Sequence, residues 1–260
     1  MTRLLNGIVA FGSALLLAVT LIGAGFAAVA IPDAATATLS RAFSGCDQPN
    51  TPLTADEFAS MAIAGKHYTF DDNDREKLDA AIAEANVAAE ANIAAEANVA
   101  AEANVAAEAD GRATASTREN AARSLPADAI SHLDDVYRVA SMAKPALAIV
   151  AVLCIAGLAH VAVRIGRRAL GRTLIAGGGL VLAAFCALGA WAAIDFDGLF
   201  AAFHSLFFQA GTWTFPYDSL LITLYPTAFW MGMGGIWLAV TCIASIICII
   251  VGRLLRSETE

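Results

Sequence analysis

The chain has 260 residues, 58% of them hydrophobic and 15% charged, with a net charge of −8 and a mean hydropathy of +0.63. Soluble globular chains carry about 25% charged residues, so the composition excludes a soluble enzyme, a fibrous chain and a disulfide-rich secreted domain. The negative balance argues against nucleic acid as a partner, because phosphate binding needs clustered Lys and Arg.

In chain order, the first apolar run is Leu5–Ile31, with no charge inside it. A bilayer span needs about 20 mostly apolar residues, so 5–31 reads as a transmembrane helix. A signal peptide is the other reading, but a run of this length exceeds the 7–15 residues of a signal's apolar core. Phe43-Ser44-Gly45-Cys46 loosely resembles a lipidation box. It lies too far beyond the apolar run, and Cys46 reads as an unmodified thiol.

Segment 32–143 follows as an outer segment, and residues 32–141 hold 19 of the chain's 24 acidic residues against 8 basic ones. Thr54 and Glu57 form the pattern of a capping box for a helix ending near Phe70. Asp71-Asp72-Asn73-Asp74 lacks the Gly and the terminal Glu of a calcium loop, and reads as a solvated turn. A hexad repeat, Ala-Glu-Ala-Asn-Val/Ile-Ala, then occupies 83–110. Alanine and glutamate favour helix, but six residues leave about 240° of rotation per copy. Val87, Ile93, Val99 and Val105 therefore form no single stripe, and the helix is expected to lack a burial face. The repeat reads as a low-complexity expansion without a role of its own, rather than as a spacer or partner arm. Residues 114–120 read as a polar linker.

Ser124-Leu125-Pro126 is expected to open the next helix, with Ser124 capping it. One face carries Ile130, Leu133, Tyr137 and Ala140; another carries Asp128, His132 and Asp135, at i, i+4 and i+7, while Asp134 points elsewhere. A carboxylate one turn from an imidazole can hold its tautomer. The helix then meets Lys144-Pro145 and becomes the second span, 144–163, with His132 about three turns beyond its outer end.

A basic loop at 164–172 precedes the third span, 173–194. Segment 195–227 is a second outer loop, dense in aromatics, which favour the membrane–water interface. Within it, Gly198–Gln209 reads as an interfacial helix bearing His204, and Gly211–Tyr217 as an extended stretch with Trp213, Phe215 and Tyr217 on one side. Asp218 and Pro226 mark the return to the fourth span, 228–251, which ends in the tail 252–260. Seven arginines, Arg3, Arg164, Arg167, Arg168, Arg172, Arg253 and Arg256, fall on one side of this layout. The bias of cations toward the cytoplasm puts both termini inside and both long segments outside. The expected fold is all-α: four transmembrane helices and a mixed extracytoplasmic cap. Glycines 177–179, 232, 234 and 235 lie in spans, where they let helices approach.

The chain has no GxSxG, HExxH or P-loop motif and no CxxC pair. Of its four histidines, His67 and His160 read as ordinary surface or helix-end residues. His132 and His204 lie outside on segments that flank neighbouring spans, so the two can meet. An acid and a base serving one substrate must lie within about 12 Å of each other.

These residues carry a family resemblance. His132-Leu133-Asp134-Asp135-Val136 resembles one element of a bacterial four-span membrane family. Phe203-His204-x-x-Phe207-Phe208, Gly211-x-Trp213-x-Phe215, Asp218-x-Leu220-Leu221-Ile222 and Tyr225-Pro226-x-x-Phe229-Trp230 together resemble its second. The family is that of the lipoprotein intramolecular transacylases. The hexad repeat lies outside the resemblance. The resemblance implies transfer of the sn-2 acyl chain of a diacylglyceryl-cysteine to the same cysteine's α-amine, giving the lyso form. It implies His132 and His204 as catalytic residues and Asp135 as the residue orienting His132, with Trp213, Asp218 and Tyr225 in support. Which histidine is the base stays open, and the oxyanion donor that the chemistry needs could be Trp213, Tyr225 or a backbone amide. The resemblance implies no cofactor or metal. The implied partners are membrane lipids and diacylated lipoproteins, and the implied place is the cell membrane with the site on its outer side. Two rivals stand beside it. One is a metal-dependent membrane hydrolase with His132, His204 and a carboxylate as ligands. The other is a non-catalytic protein whose aromatic hairpin binds a partner.

Overall fold

The computed structural model describes residues 2–48, 51–102 and 123–257. Residues 103–110 of the repeat and the 114–120 linker lie outside these. Every regular element among the described residues is helical: α1 (Thr2–Ala30), α2 (Asp33–Phe43), α3 (Ala55–Phe70), α4 (Arg75–Glu102), α5 (Ala127–His160), α6 (Arg167–Ile194), α7 (Phe196–Phe207), α8 (Leu220–Leu224) and α9 (Thr227–Ser257). A π-helical turn, Val161–Ile165, joins α5 to Gly166. Gly166 has φ +114°, a value that side chains disfavour. Four helical segments are long and apolar enough to cross a membrane: Arg3–Ala30, Ala127–Ile165, Arg167–Ile194 and Thr227–Ser257.

The chain divides into two compact units, residues 1–31, 141–203 and 234–260 in one and 32–140 and 204–233 in the other. The first unit holds the apolar helices. Its small core joins Leu17, Leu21, Cys154, Val181 and Phe185, and the Trp237 indole donates to the Ile22 carbonyl at 3.1 Å. Ile149, Val152, Ile155, Ile243 and Ile247 are all more than half exposed. Such an apolar exterior suits a bilayer solvent, which rewards neither polar side chains nor unpaired backbone. Close packing depends on missing side chains. A Cβ on Gly178 would lie 2.7 Å from the Ser245 carbonyl oxygen, and one on Gly171 would lie 2.5 Å from that of Gly252. Gly177 is closed in likewise by Leu17 and Ala14, whereas Gly179, Gly234 and Gly235 face open space.

The second unit has a core around Phe58, Met61, Leu78, Leu133, Leu220 and Leu224. The capping box forms as its pattern implies: Thr54 accepts from the Glu57 amide, and the Glu57 carboxylate accepts from the Thr54 amide. The acidic run is a turn and a cap, since Asp74 accepts from the amides of Glu76 and Lys77 at the start of α4. Ser124 does not cap α5, which starts only at Ala127; Asp128 instead accepts from the Ala129 amide.

The repeat differs from its expected lack of a burial face. Leu78, Ile82, Ala85 and Ala89 fall at i, i+4, i+7 and i+11 and are all buried, Ala89 completely. Two large residues before the repeat anchor the helix, and the small alanines then let it lie close to its neighbours. Asn92 extends the contact by donating to the Pro52 carbonyl and the Glu57 carboxylate. The valines do stray from this stripe: Val87 and Val99 are about two-thirds exposed, at 68% and 66%.

Candidate active site

Three tethers place the segment after His204. The Gly45 amide donates to the Thr223 carbonyl and the Ser44 hydroxyl to the Leu224 carbonyl. The Tyr225 hydroxyl donates to the Ala62 carbonyl at 2.8 Å. On α3, Gly65 leaves room for that hydroxyl, which a Cβ there would meet at 2.4 Å. Burial pushes the Tyr225 phenol above its ordinary pKa, so it stays a neutral donor. A second network holds α5. Tyr68 donates to Asp134, which also accepts from Asn73. Burial and the Asp134 carboxylate push Tyr68 up to about 12.

Between these tethers two histidines meet. His132 comes from α5 and His204 from the end of α7, and their rings stack with centroids 6.1 Å apart and planes 28° from parallel. Both are buried, at 8% and 9% exposure. Their separation lies well within the about 12 Å needed to serve one substrate. Phe208 meets His132 edge-on at 4.9 Å, Phe215 packs on it at 5.6 Å, and Trp213 lies on His204 at 4.8 Å. Burial, helped by the neighbouring His204, lowers His132 from 6.5 to about 4; Asp135 pulls weakly the other way. His132 is therefore a neutral imidazole at physiological pH. Its Nδ1 is buried and has no hydrogen-bond partner among the described residues.

The remaining expected residues are arranged less uniformly. Asp135 is not bonded to His132 and instead accepts from the Arg138 guanidinium at 2.7 Å. An arginine three residues on competes for the same carboxylate, which the helical wheel of acids and imidazole overlooked. Trp213 joins the cluster, and its buried indole N–H has no acceptor. Tyr225 stands apart, committed to the Ala62 carbonyl. Asp218 is exposed in the turn before α8, and Ser219 rather than Asp218 caps that helix. The 211–217 stretch forms no strand; Trp213 and Phe215 turn inward while Tyr217 is 62% exposed. Asp134 and Tyr68 were not expected to matter. Their only signal was a tyrosine beside His67 and an acid next to Asp135. Among the described residues, no group of three or more His, Cys, Asp and Glu is placed to hold a metal ion.

Residues 110–230 match the family model described as lipoprotein intramolecular transacylase Lit. No curated protein matches the chain. Among solved structures, the membrane integral lipoprotein intramolecular transacylase Lit from Bacillus cereus is similar at 16% identity, with a TM-score of 0.67 over 98% of this chain and 97% of that one. Two histidine-substituted forms of that protein give TM-scores of 0.63 and 0.64 at 15% and 14% identity, over 99% of this chain and 95% and 96% of theirs. At these identities the likeness is one of fold. The family resemblance carried by the two sequence elements is borne out by the family match together with that shared fold.

Proposed function

We propose, from the match of residues 110–230 to the lipoprotein intramolecular transacylase family model, that the chain moves the sn-2 acyl chain of a diacylglyceryl-cysteine onto that cysteine's α-amine. The protein is a multi-pass membrane protein, and the site is assigned to the extracytoplasmic side. The observation that carries this reading is the buried, stacked pair of His132 and His204, walled by Phe208, Trp213 and Phe215.

Conversion of an ester to an amide is downhill, so no nucleotide or acyl-CoA is required. Donor and acceptor share one molecule, and holding them together supplies much of the rate. Proton handling remains. The amine must lose a proton as its nitrogen bonds the carbonyl carbon, and the departing glycerol oxygen must gain one. A free α-ammonium has a pKa of about 7.7–8.0, far above that of His132. A neutral His132 therefore does not strip the resting ammonium. The neutral fraction of the amine, which has already lost that proton to solvent, is what attacks, and His132 acts once the nitrogen has bonded the carbonyl carbon, when the remaining N–H has become strongly acidic. An imidazolium formed in that buried place gives its proton up readily, which suits delivery to the glycerol oxygen. His132 and His204 thus share the two transfers as base and acid. Asp135 acts on His132 through its field, as its arginine-bonded carboxylate offers no direct contact. The aromatic wall seats acyl chain and keeps out water, which would hydrolyse the ester.

The test is mass spectrometry of lipoprotein N-terminal peptides from a bacterium that makes only diacylglyceryl forms with a free amine. Expression of the wild-type chain is expected to yield N-acyl, S-monoacylglyceryl peptides. His132→Ala and His204→Ala, present in the membrane at equal amounts, are expected to yield none. An unchanged peptide population with wild type would overturn the reading.

A further inference from the structure

We infer that the indole N–H of Trp213 is the oxyanion donor of the acyl transfer, an assignment that rests on the function proposed above. Acyl transfer needs a donor aimed where the carbonyl oxygen takes up charge. The Tyr225 hydroxyl is spent on the Ala62 carbonyl, within a tether that holds α8 and its flanks in place. Trp213 is the contrary case. Its Nε1–H is buried and has no acceptor among the described residues, although its ring lies tilted on His204 at 4.8 Å. Leaving a buried donor unpaired costs about 1–3 kcal/mol, and natural proteins keep few such groups. An unpaired donor against one of two paired histidines is placed to serve a substrate oxygen.

The local backbone is consistent with this. Trp213 lies on a stretch without regular structure, between a turn at Gly211, where φ is +86°, and Pro216. The amides of Trp213, Thr214 and Phe215 donate to no described residue. The ring is thus held by aromatic packing rather than by a ladder of hydrogen bonds. In the step itself, the amine nitrogen bonds the carbonyl carbon and the carbonyl π pair moves to oxygen, where the indole N–H meets it. Collapse restores the carbonyl and breaks the bond to the glycerol oxygen, which takes the proton that the nitrogen released.

The experiment uses the full-length chain in lipid vesicles with a synthetic diacylglyceryl-cysteine lipopeptide, its product followed by mass spectrometry. Two variants separate the donor from the ring. Trp213→Phe keeps an aromatic face. Replacing Trp213 by benzothienylalanine, whose sulfur stands where the N–H was, keeps the bicyclic shape. Both are expected to lower kcat by about 100-fold, with KM changed by less than about threefold and with the wild-type melting temperature. A benzothienylalanine form with wild-type kcat overturns the donor role, whatever Trp213→Phe does. A loss confined to Trp213→Phe would mean that ring shape is what matters, and also overturns it. No conversion by the wild-type chain overturns the functional reading and this inference together, whereas conversion by all forms overturns only this one.

Discussion

His132 holds its proton so weakly because its ring is nearly closed off from water and faces a second imidazole and two phenylalanines. Its folded pKa of about 4 lies below the 6.5 of an exposed histidine. Between those values the unfolded chain binds the extra proton and the folded one does not, so stability falls as pH drops through that window. A full shift corresponds to roughly 3 kcal/mol. Melting temperature in detergent is therefore expected to fall between pH 6.5 and pH 4, with a shallower fall in His132→Phe; parallel pH curves for the two would sink the assignment. That this histidine could meet His204 was legible in the sequence, because both stand on segments that flank neighbouring spans. Its electrostatics was not, because helical spacing showed carboxylates on either side and could not show that Arg138 binds Asp135 or that burial outweighs the pull of Asp135. Two further features were set by the folded surroundings rather than by the local sequence. They are the spending of Tyr225 on Ala62 and the unpaired N–H of Trp213.

At the scale of elements, two contacts decide where the site segments lie. Tyr225 fits α3 only because residue 65 is glycine. Gly65→Ala is expected to destabilise by about 1–3 kcal/mol through overpacking, and Tyr225→Phe by about 0.5–1.5 kcal/mol through loss of the hydrogen bond to the Ala62 carbonyl. Combined, they are expected to cost less than the sum of the two, because the phenylalanine lacks the oxygen that the new methyl meets. Denaturation of the single and double variants checks this, and strict additivity would mean the two positions do not touch. The repeat offers the second contrast. Ala89→Leu is expected to destabilise by about 1–3 kcal/mol, because Ala89 is fully enclosed. Val87→Ser is expected to stay within about 0.5 kcal/mol, because Val87 is mostly solvent-exposed. Equal effects would show that the helix does not pack as described. Sequence periodicity correctly scattered the valines. It missed the stripe because the burial runs from Leu78 and Ile82 into alanines, residues that carry too little hydrophobic signal to reveal a face.

For the whole molecule the bilayer itself supplied the legibility. A solvent that tolerates no unpaired backbone forces apolar stretches into helices, so four spans are readable from composition alone. The packing of the second unit, residues 32–140 and 204–233, has no such rule behind it. The proposed orientation rests on charge: seven arginines lie at the termini and in the 164–172 loop, and short cation-bearing segments favour the cytoplasmic face. In right-side-out vesicles, Cys46 is therefore expected to react with a membrane-impermeant maleimide without permeabilisation, since it is exposed and precedes α3. Partial burial and the adjoining Asp47 raise its thiol pKa, which keeps the reactive thiolate scarce. Labelling should accordingly be faster at pH 8.5 than at pH 7. A cysteine introduced as Ser257→Cys, at the end of α9, is expected to label only after permeabilisation. The reverse pattern would place the histidine pair on the cytoplasmic side, away from lipoproteins that mature outside, and the proposed reaction would fail with it.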